Sequence, residues 1–170
     1  KMKRVPNEKP SFLKMGNYGD DIIELKKAKE KGFDDVLFLD SANNVKECST
    51  SNIFFIKGKN LVTPLVDSCL LDGITRRNFI NYWKLIGGAV TERDLKIEEI
   101  EHFETILLTN SIQLIRPCFQ LETISLNEEK IFGFSHLDFF RSFYTYSRNK
   151  SHKDFINYEK EKNWNYMPSL

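Results

Sequence analysis

No stretch of this chain approaches the ~20 consecutive apolar residues of a membrane span, and no secretory signal is visible in it. An excess of one charge is also lacking. Lys and Arg number 25 against 24 Asp and Glu, a formal net charge of +1, which argues against nucleic acid or an anionic membrane as partner. Cysteine is sparse: Cys48, Cys69 and Cys118 form no CxxC pair and cannot all pair internally. A disulfide framework is therefore disfavoured, and a reducing, cytoplasmic compartment is the simpler reading. The three histidines, His102, His136 and His152, lack metal-ligand spacing, so no metal site is expected. No internal repeat is present. The chain also starts KMKRVPNEKP, without an initiator methionine, and reads as a processed or excised piece.

What is present is ordinary in bulk: 170 residues, 41% apolar and 29% charged, enough for one globular domain with a real core. Residues 1–11 are polar, with two prolines, and read as a lead-in. A helix is expected over Asp20 to Lys31, with Ile22, Leu25 and Ala28 on one face and Gly32 as its stop. Val36 to Leu39 and Val45 to Ser49 read as strands around an Asp40–Asn44 turn. Ile53–Ile56 and Leu61–Thr63 form a hairpin through Lys57-Gly58-Lys59-Asn60. A second helix is expected from about Thr75 to Ile86, striped by Phe79, Ile80, Trp83 and Ile86 and ended by Gly87-Gly88.

Further on, Ala89 to Arg93 reads as a strand and Ile97 to Phe103 as a short helix. Thr105–Leu108 and Ile112–Ile115 are apolar runs flanking Thr109-Asn110-Ser111. Phe119–Ile124 and Lys130–Phe134 look like strands around a Leu126-Asn127-Glu128 turn. Ser135 opens a last helix with Leu137, Phe140 and Tyr144 inward. The polar tail, 148–170, has no clean period. Mixed strands with three or four helices indicate an α/β (mixed α+β) domain.

Four places could carry chemistry. Lys14 ends an apolar segment before a turn-like Gly16-Asn17-Tyr18. It is a solvated surface lysine, or a lysine that loses its proton readily and serves as an amine nucleophile and base. Glu47 shares a strand face with Val45 and Ser49. That face is solvated by default; otherwise the carboxylate is buried with a cationic or N–H partner. Gly73-Ile74-Thr75 opens a helix whose free amides and dipole suit an anion, although a plain N-cap by Asp72 or Thr75 reads the same way. Thr109-Asn110-Ser111 is a polar break that any turn could produce.

In order along the chain, Lys14-Met15-Gly16-Asn17-Tyr18, the run GFDDVLFLD from Gly32, ECSTSNIF from Glu47, Thr63-Pro64 and LDGITR from Leu71 make a longer pattern. It resembles the fold-type IV pyridoxal-phosphate enzymes, the class IV aminotransferases and their lyase relatives, from about Lys14 to Pro117. The resemblance implies the C-terminal, cofactor-binding domain of the D-amino acid aminotransferase-like fold over residues 12–147, with pyridoxal 5'-phosphate as cofactor. Lys14 resembles the lysine that joins the cofactor as an imine, and Tyr18 the tyrosine beside its phenolic oxygen. Glu47 looks like the acid that keeps the pyridine nitrogen protonated, and Leu71 would pack on the ring. Gly73, Ile74 and Thr75 would hold the phosphate, with Thr109, Asn110 and Ser111 as a second phosphate-side loop.

The run LTNSIQLIRPC from Leu108 is similar to the T-N-S-x-x-x-[IV]-R-P-V of aminodeoxychorismate lyases, with Cys118 in place of Val. It implies a carbon–oxygen lyase that splits 4-amino-4-deoxychorismate into 4-aminobenzoate and pyruvate, in folate synthesis. A branched-chain or D-amino acid transaminase, or an inactive isolated domain, are the alternatives. The resemblance also implies a homodimer. The smaller N-terminal domain of such enzymes has no counterpart in residues 1–13, so the expectation is one domain of a longer enzyme.

Overall fold

The structure is a computed structural model that describes residues 19–67, 70–121, 124–125 and 136–148. The described residues fall into two compact units that part between Glu128 and Glu129. Lys14, Tyr18, Cys69, the Leu126–Glu128 turn, the Lys130–Phe134 strand, Ser135 and the tail beyond Arg148 lie outside them.

In the first unit, α1 (Gly19–Glu30) closes at Gly32, whose φ of +83° suits a residue without a Cβ. Only part of the expected stripe is buried. Ala28 packs with Val36 and Phe38, while Ile22 is exposed. The helix therefore docks by its C-terminal turns alone.

Strands β1 (Leu37–Leu39) and β2 (Val45–Cys48) pair antiparallel around the Asp40–Asn44 turn. In that turn the Asp40 carboxylate accepts the Ala42 and Asn44 amides, and Asn43 takes a positive φ. The main sheet follows: β3 (Asn52–Lys57), β4 (Asn60–Thr63), β5 (Ala89–Glu92), β6 (Thr105–Asn110) and β7 (Leu114–Cys118), in spatial order β5-β4-β3-β6-β7. Neighbours are antiparallel except β4 and β5. A parallel pair needs a crossover, and α2 (Ile74–Leu85) supplies it.

Strand parity divides the core in two. Phe54 lies under α2, where it meets Phe79 edge to face at 4.8 Å. Ile53, Phe55, Ile106 and Leu108 face the other way, into a cluster with Leu37, Leu39, Val45, Leu95 and Ile100. The short 3-10 helix Ile97–His102 supplies that last residue. Helix α2 ends as expected: Gly87 has φ +88°, and the Gly88 amide donates to the Trp83 carbonyl. Gly88 must stay small, because a Cβ there would stand 2.2 Å from Trp83 Nε1.

Three expectations need correction. Ile112 belongs to a turn and is 93% exposed, so β7 starts only at Leu114. Phe119–Ile124 is not one strand; it breaks into β8 (Gln120–Leu121) and β9 (Ile124–Ser125), which pair antiparallel. In the second unit, α3 (His136–Arg148) buries Phe139, Phe143 and Tyr146, whereas Tyr144 is exposed. Its sequence holds two aromatic stripes about one residue apart, and periodicity alone does not choose between them. Among the described residues no helix is long and apolar enough to cross a membrane, and no group of His, Cys, Asp or Glu could hold a metal ion.

Candidate functional site

The β2–β3 turn, the loop before α2 and the end of β6 converge at one end of the sheet, and hydrogen bonds tie them together. Glu47 is half-buried on β2, not solvated: its Oε2 accepts the Leu71 amide at 3.1 Å. Strand β2 is covered on both faces, so its alternation gives no solvated side. The Leu71 carbonyl in turn accepts Asn52 Nδ2 at 2.7 Å and the Gly73 amide at 2.9 Å. Asn52 stands opposite Thr109 in the β3–β6 register. Asn110 Nδ2 donates to Ser51 Oγ at 3.1 Å, while its Oδ1 accepts the Ile112 and Gln113 amides.

The structure thus brings together Glu47, Leu71, Gly73, Thr109 and Asn110 from sequence-distant segments. Thr109 and Asn110 are strand residues of β6; the turn itself is Ser111 to Gln113. Leu114, just past it, has a φ of +59°, a left-handed conformation costing a residue with a Cβ about 1 kcal/mol. Leu114 carried no signal of this in the sequence.

Helix α2 begins at this junction. Its N-cap, Gly73, offers no side-chain cap, and the first turn holds no acidic residue. Ile74 is exposed and Thr75 buried. The dipole and free amides of such an end favour an anion.

Two buried cations, neither singled out by sequence reasoning, brace the loop between β4 and α2. Lys46, 2% exposed, reaches Asp67 at 2.7 Å, Asp40 at 3.3 Å and Asp94 at 3.5 Å. Burial works against its ammonium, but hydrogen bonds and attraction from Asp67 and Asp40 prevail and hold its pKa above the ordinary value. Arg76, in the first turn of α2, donates to the Pro64 carbonyl at 3.0 Å and to Glu92 at 2.7 Å, with Asp72 at 3.4 Å. Its place in the GITR run was the one available signal. Behind β2, Asp35 accepts from Arg116 and from the Ser49 amide and hydroxyl. Burial pushes the Cys48 thiol well up, so it is a packing group and not a nucleophile.

Acid should weaken this arrangement. Burial opposes ionisation of Asp40, but Asn44 and Lys46 outweigh it and lower its pKa below 3.8. A depressed carboxylate contributes stability that is full above its unfolded pKa and is lost as pH falls through its folded one. The melting temperature should therefore fall below about pH 4, and more shallowly in Asp40→Asn. An acid limb of equal slope in the two proteins would contradict this.

Comparison with known proteins places the geometry. The family model for amino-transferase class IV matches residues 1–121. A probable branched-chain-amino-acid aminotransferase of Rickettsia felis is 38% identical over 130 residues, covering 76% of this chain and 43% of that protein. A Legionella pneumophila structure named "Putative 4-amino-4-deoxychorismate lyase" superposes with a TM-score of 0.70 at 34% identity, covering 75% of this chain and 47% of the other. An aminotransferase of Brucella abortus, solved with pyridoxal phosphate bound, gives 0.67 at 30% identity over 75% and 44%. The chain spans less than half the length of each of these proteins.

The described residues fit that cofactor. Thr109 Oγ1 is buried without a hydrogen-bond partner in the same junction as the uncapped start of α2, and the half-buried Glu47 carboxylate lies one hydrogen bond from the loop leading into it. A phosphate acceptor and a protonated ring are the two chemistries this donor set suits. With this junction, a mixed α/β fold shared with fold-type IV enzymes and a family match over more than two thirds of its length, the chain belongs to the class IV aminotransferases, a pyridoxal-phosphate-dependent family.

Proposed function

We propose that this chain is the cofactor-holding part of an aminodeoxychorismate lyase that works as a homodimer. The observation that carries the lyase reading is the Thr109-Asn110-Ser111 run with Arg116-Pro117. In it Asn110 is fixed by the Ser51 and turn hydrogen bonds, and Arg116 by Asp35. The match to the Legionella structure supports it.

The amides of Ile74 and Thr75, the Thr75 hydroxyl and the Thr109–Ser111 segment hold the cofactor's phosphate. Glu47 would keep the ring nitrogen protonated, with Leu71 beside the ring and Tyr18 as the partner of its phenolic oxygen. When bound, pyridoxal phosphate supplies an electron sink for the pair left by a departing proton. Lys14 would be the attachment amine and the base that takes the proton from the substrate carbon bearing nitrogen. The carbon–oxygen bond then breaks, enolpyruvate leaves and is protonated to pyruvate, and the ring becomes aromatic. Nothing is oxidised or reduced overall, so no keto acid is consumed.

Borohydride reduction of the cofactor-loaded protein followed by peptide mapping should leave the label on Lys14; a label on another lysine contradicts the assignment. The full-length enzyme should release fluorescent 4-aminobenzoate from 4-amino-4-deoxychorismate at the same rate with and without 2-oxoglutarate.

A second reading, branched-chain transamination, draws on the name of the Rickettsia felis relative. It uses the same Lys14 and Glu47. A strict requirement for a keto acid, or faster conversion of branched-chain amino acids, would establish it over the lyase.

A further inference from the structure

We propose that Asn52 is a positioning residue, the element that sets the Leu71 peptide between the acid and the phosphate end of the site. The inference rests on the cofactor reading above. The Leu71 backbone is held on both sides of its Cα: its N–H donates to Glu47 at 3.1 Å, and its C=O accepts from Asn52 Nδ2 at 2.7 Å. Asn52 is 6% exposed at the start of β3, where its backbone is fixed by pairing with Thr109. Its side chain therefore ties the residues that lead into α2 to a strand fixed in the sheet.

The other end of the same amide touches Gly73. A Cβ at Gly73 would stand 2.4 Å from Asn52 Oδ1, closer than such atoms approach, so Gly73 and Asn52 fit only as a pair. Since Gly73 is the N-cap of α2, one side chain fixes both the peptide that Glu47 holds and the first residue of the anion-binding helix end. An amide is required for this. The Nδ2 hydrogens meet a carbonyl, and a carboxylate in the same volume would present an oxygen to it and lose the bond.

Asn52→Asp and Asn52→Leu separate this role from plain packing, read in the 170-residue chain by pyridoxal-phosphate titration and by hydrogen exchange of the Leu71 and Gly73 amides without cofactor. At pH 8, Asn52→Asp should bind pyridoxal phosphate at least ~10-fold more weakly than the unaltered chain, because losing a charge-free buried hydrogen bond and gaining a repulsion costs more than one such bond. Near pH 5 its protonated carboxyl can donate to Leu71, and its affinity should return to within ~3-fold of the unaltered chain at the same pH. Glu47, Asp72 and Arg76 flank the clamp in both proteins, so each variant is read against the unaltered chain at the same pH.

Asn52→Leu should stay weak at both pH values, and both variants should exchange the Leu71 and Gly73 amides faster at pH 8. Affinity in Asn52→Asp that is independent of pH relative to the unaltered chain overturns the inference, as does unchanged amide exchange in both variants. Failure of the unaltered chain to bind pyridoxal phosphate overturns the cofactor reading, and the inference with it.

Discussion

Glu47→Gln should lower turnover by ~10²-fold or more while leaving the fold in place, since an electrostatic partner to developing charge is worth a few kcal/mol. The substitution is chosen to remove charge and little else. A glutamine keeps the length of the side chain, and its Oε1 can still accept the Leu71 amide that Glu47 Oε2 accepts at 3.1 Å. The loop before α2 should therefore hold its position, and the melting temperature should move by no more than a degree or two. On the proposed reading, what is lost is the negative charge that would favour a protonated ring nitrogen, and with it the ring's capacity to accept electrons. On the same reading, in which the start of α2 takes the phosphate, cofactor affinity should change much less than turnover. The measurement is kcat and KM on the longest available form of the enzyme, beside a cofactor titration. Turnover within threefold of the unaltered enzyme would remove Glu47 from this role.

The contrast between Glu47 and its neighbour Lys46 shows what a sequence can disclose. Elements bounded by clear turn or stop residues announced themselves. The β3–β4 hairpin turns at Gly58-Lys59 between two short apolar runs, and α2 carries Phe79, Ile80 and Trp83 at helical spacing. The candidate site was legible as motifs, because Glu47, Leu71, Gly73 and Thr109 lie in runs whose order is itself informative. Burial on β2 was not legible: with Lys46 and Glu47 adjacent, strand parity puts one of them on a nominally solvated face, yet both are covered. A buried lysine is stabilised by carboxylates 6, 21 and 48 residues away, at Asp40, Asp67 and Asp94, and no local pattern encodes partners at that range. The same holds for Asn52, whose role exists only because Leu71 folds back against it. The exposure of Ile22 and the aromatic stripe that α3 buries likewise do not follow from each helix's own period.

Arg76→Met should be the most destabilising polar substitution at this junction, at about 3 kcal/mol, the lower end of the range for breaking a buried pair. The guanidinium is 2% exposed and joins three groups that belong to different elements: the Pro64 carbonyl after β4, Glu92 at the end of β5 and Asp72 just before α2. Methionine fills much of the same volume, so the loss reports the bonds and not a cavity. The Asp72 and Glu92 side chains are each 38% exposed, so water can reach them once the cation is gone; that is why the lower end of the range applies. The Pro64 carbonyl loses its donor outright. Arg76→Lys should recover less than half of the difference, since an ammonium cannot span a carbonyl and two carboxylates in the way a planar fork does. Urea unfolding of the three proteins at pH 7 measures this, with equal slopes showing that the same fold is being compared. A loss below ~1 kcal/mol in Arg76→Met would mean that the buried Nε, which has no partner, already costs nearly what the other bonds return. Arg76 would then serve the placement of Gly73 and the start of α2 more than the stability of the chain, and cofactor affinity, not the urea midpoint, would be the quantity that falls.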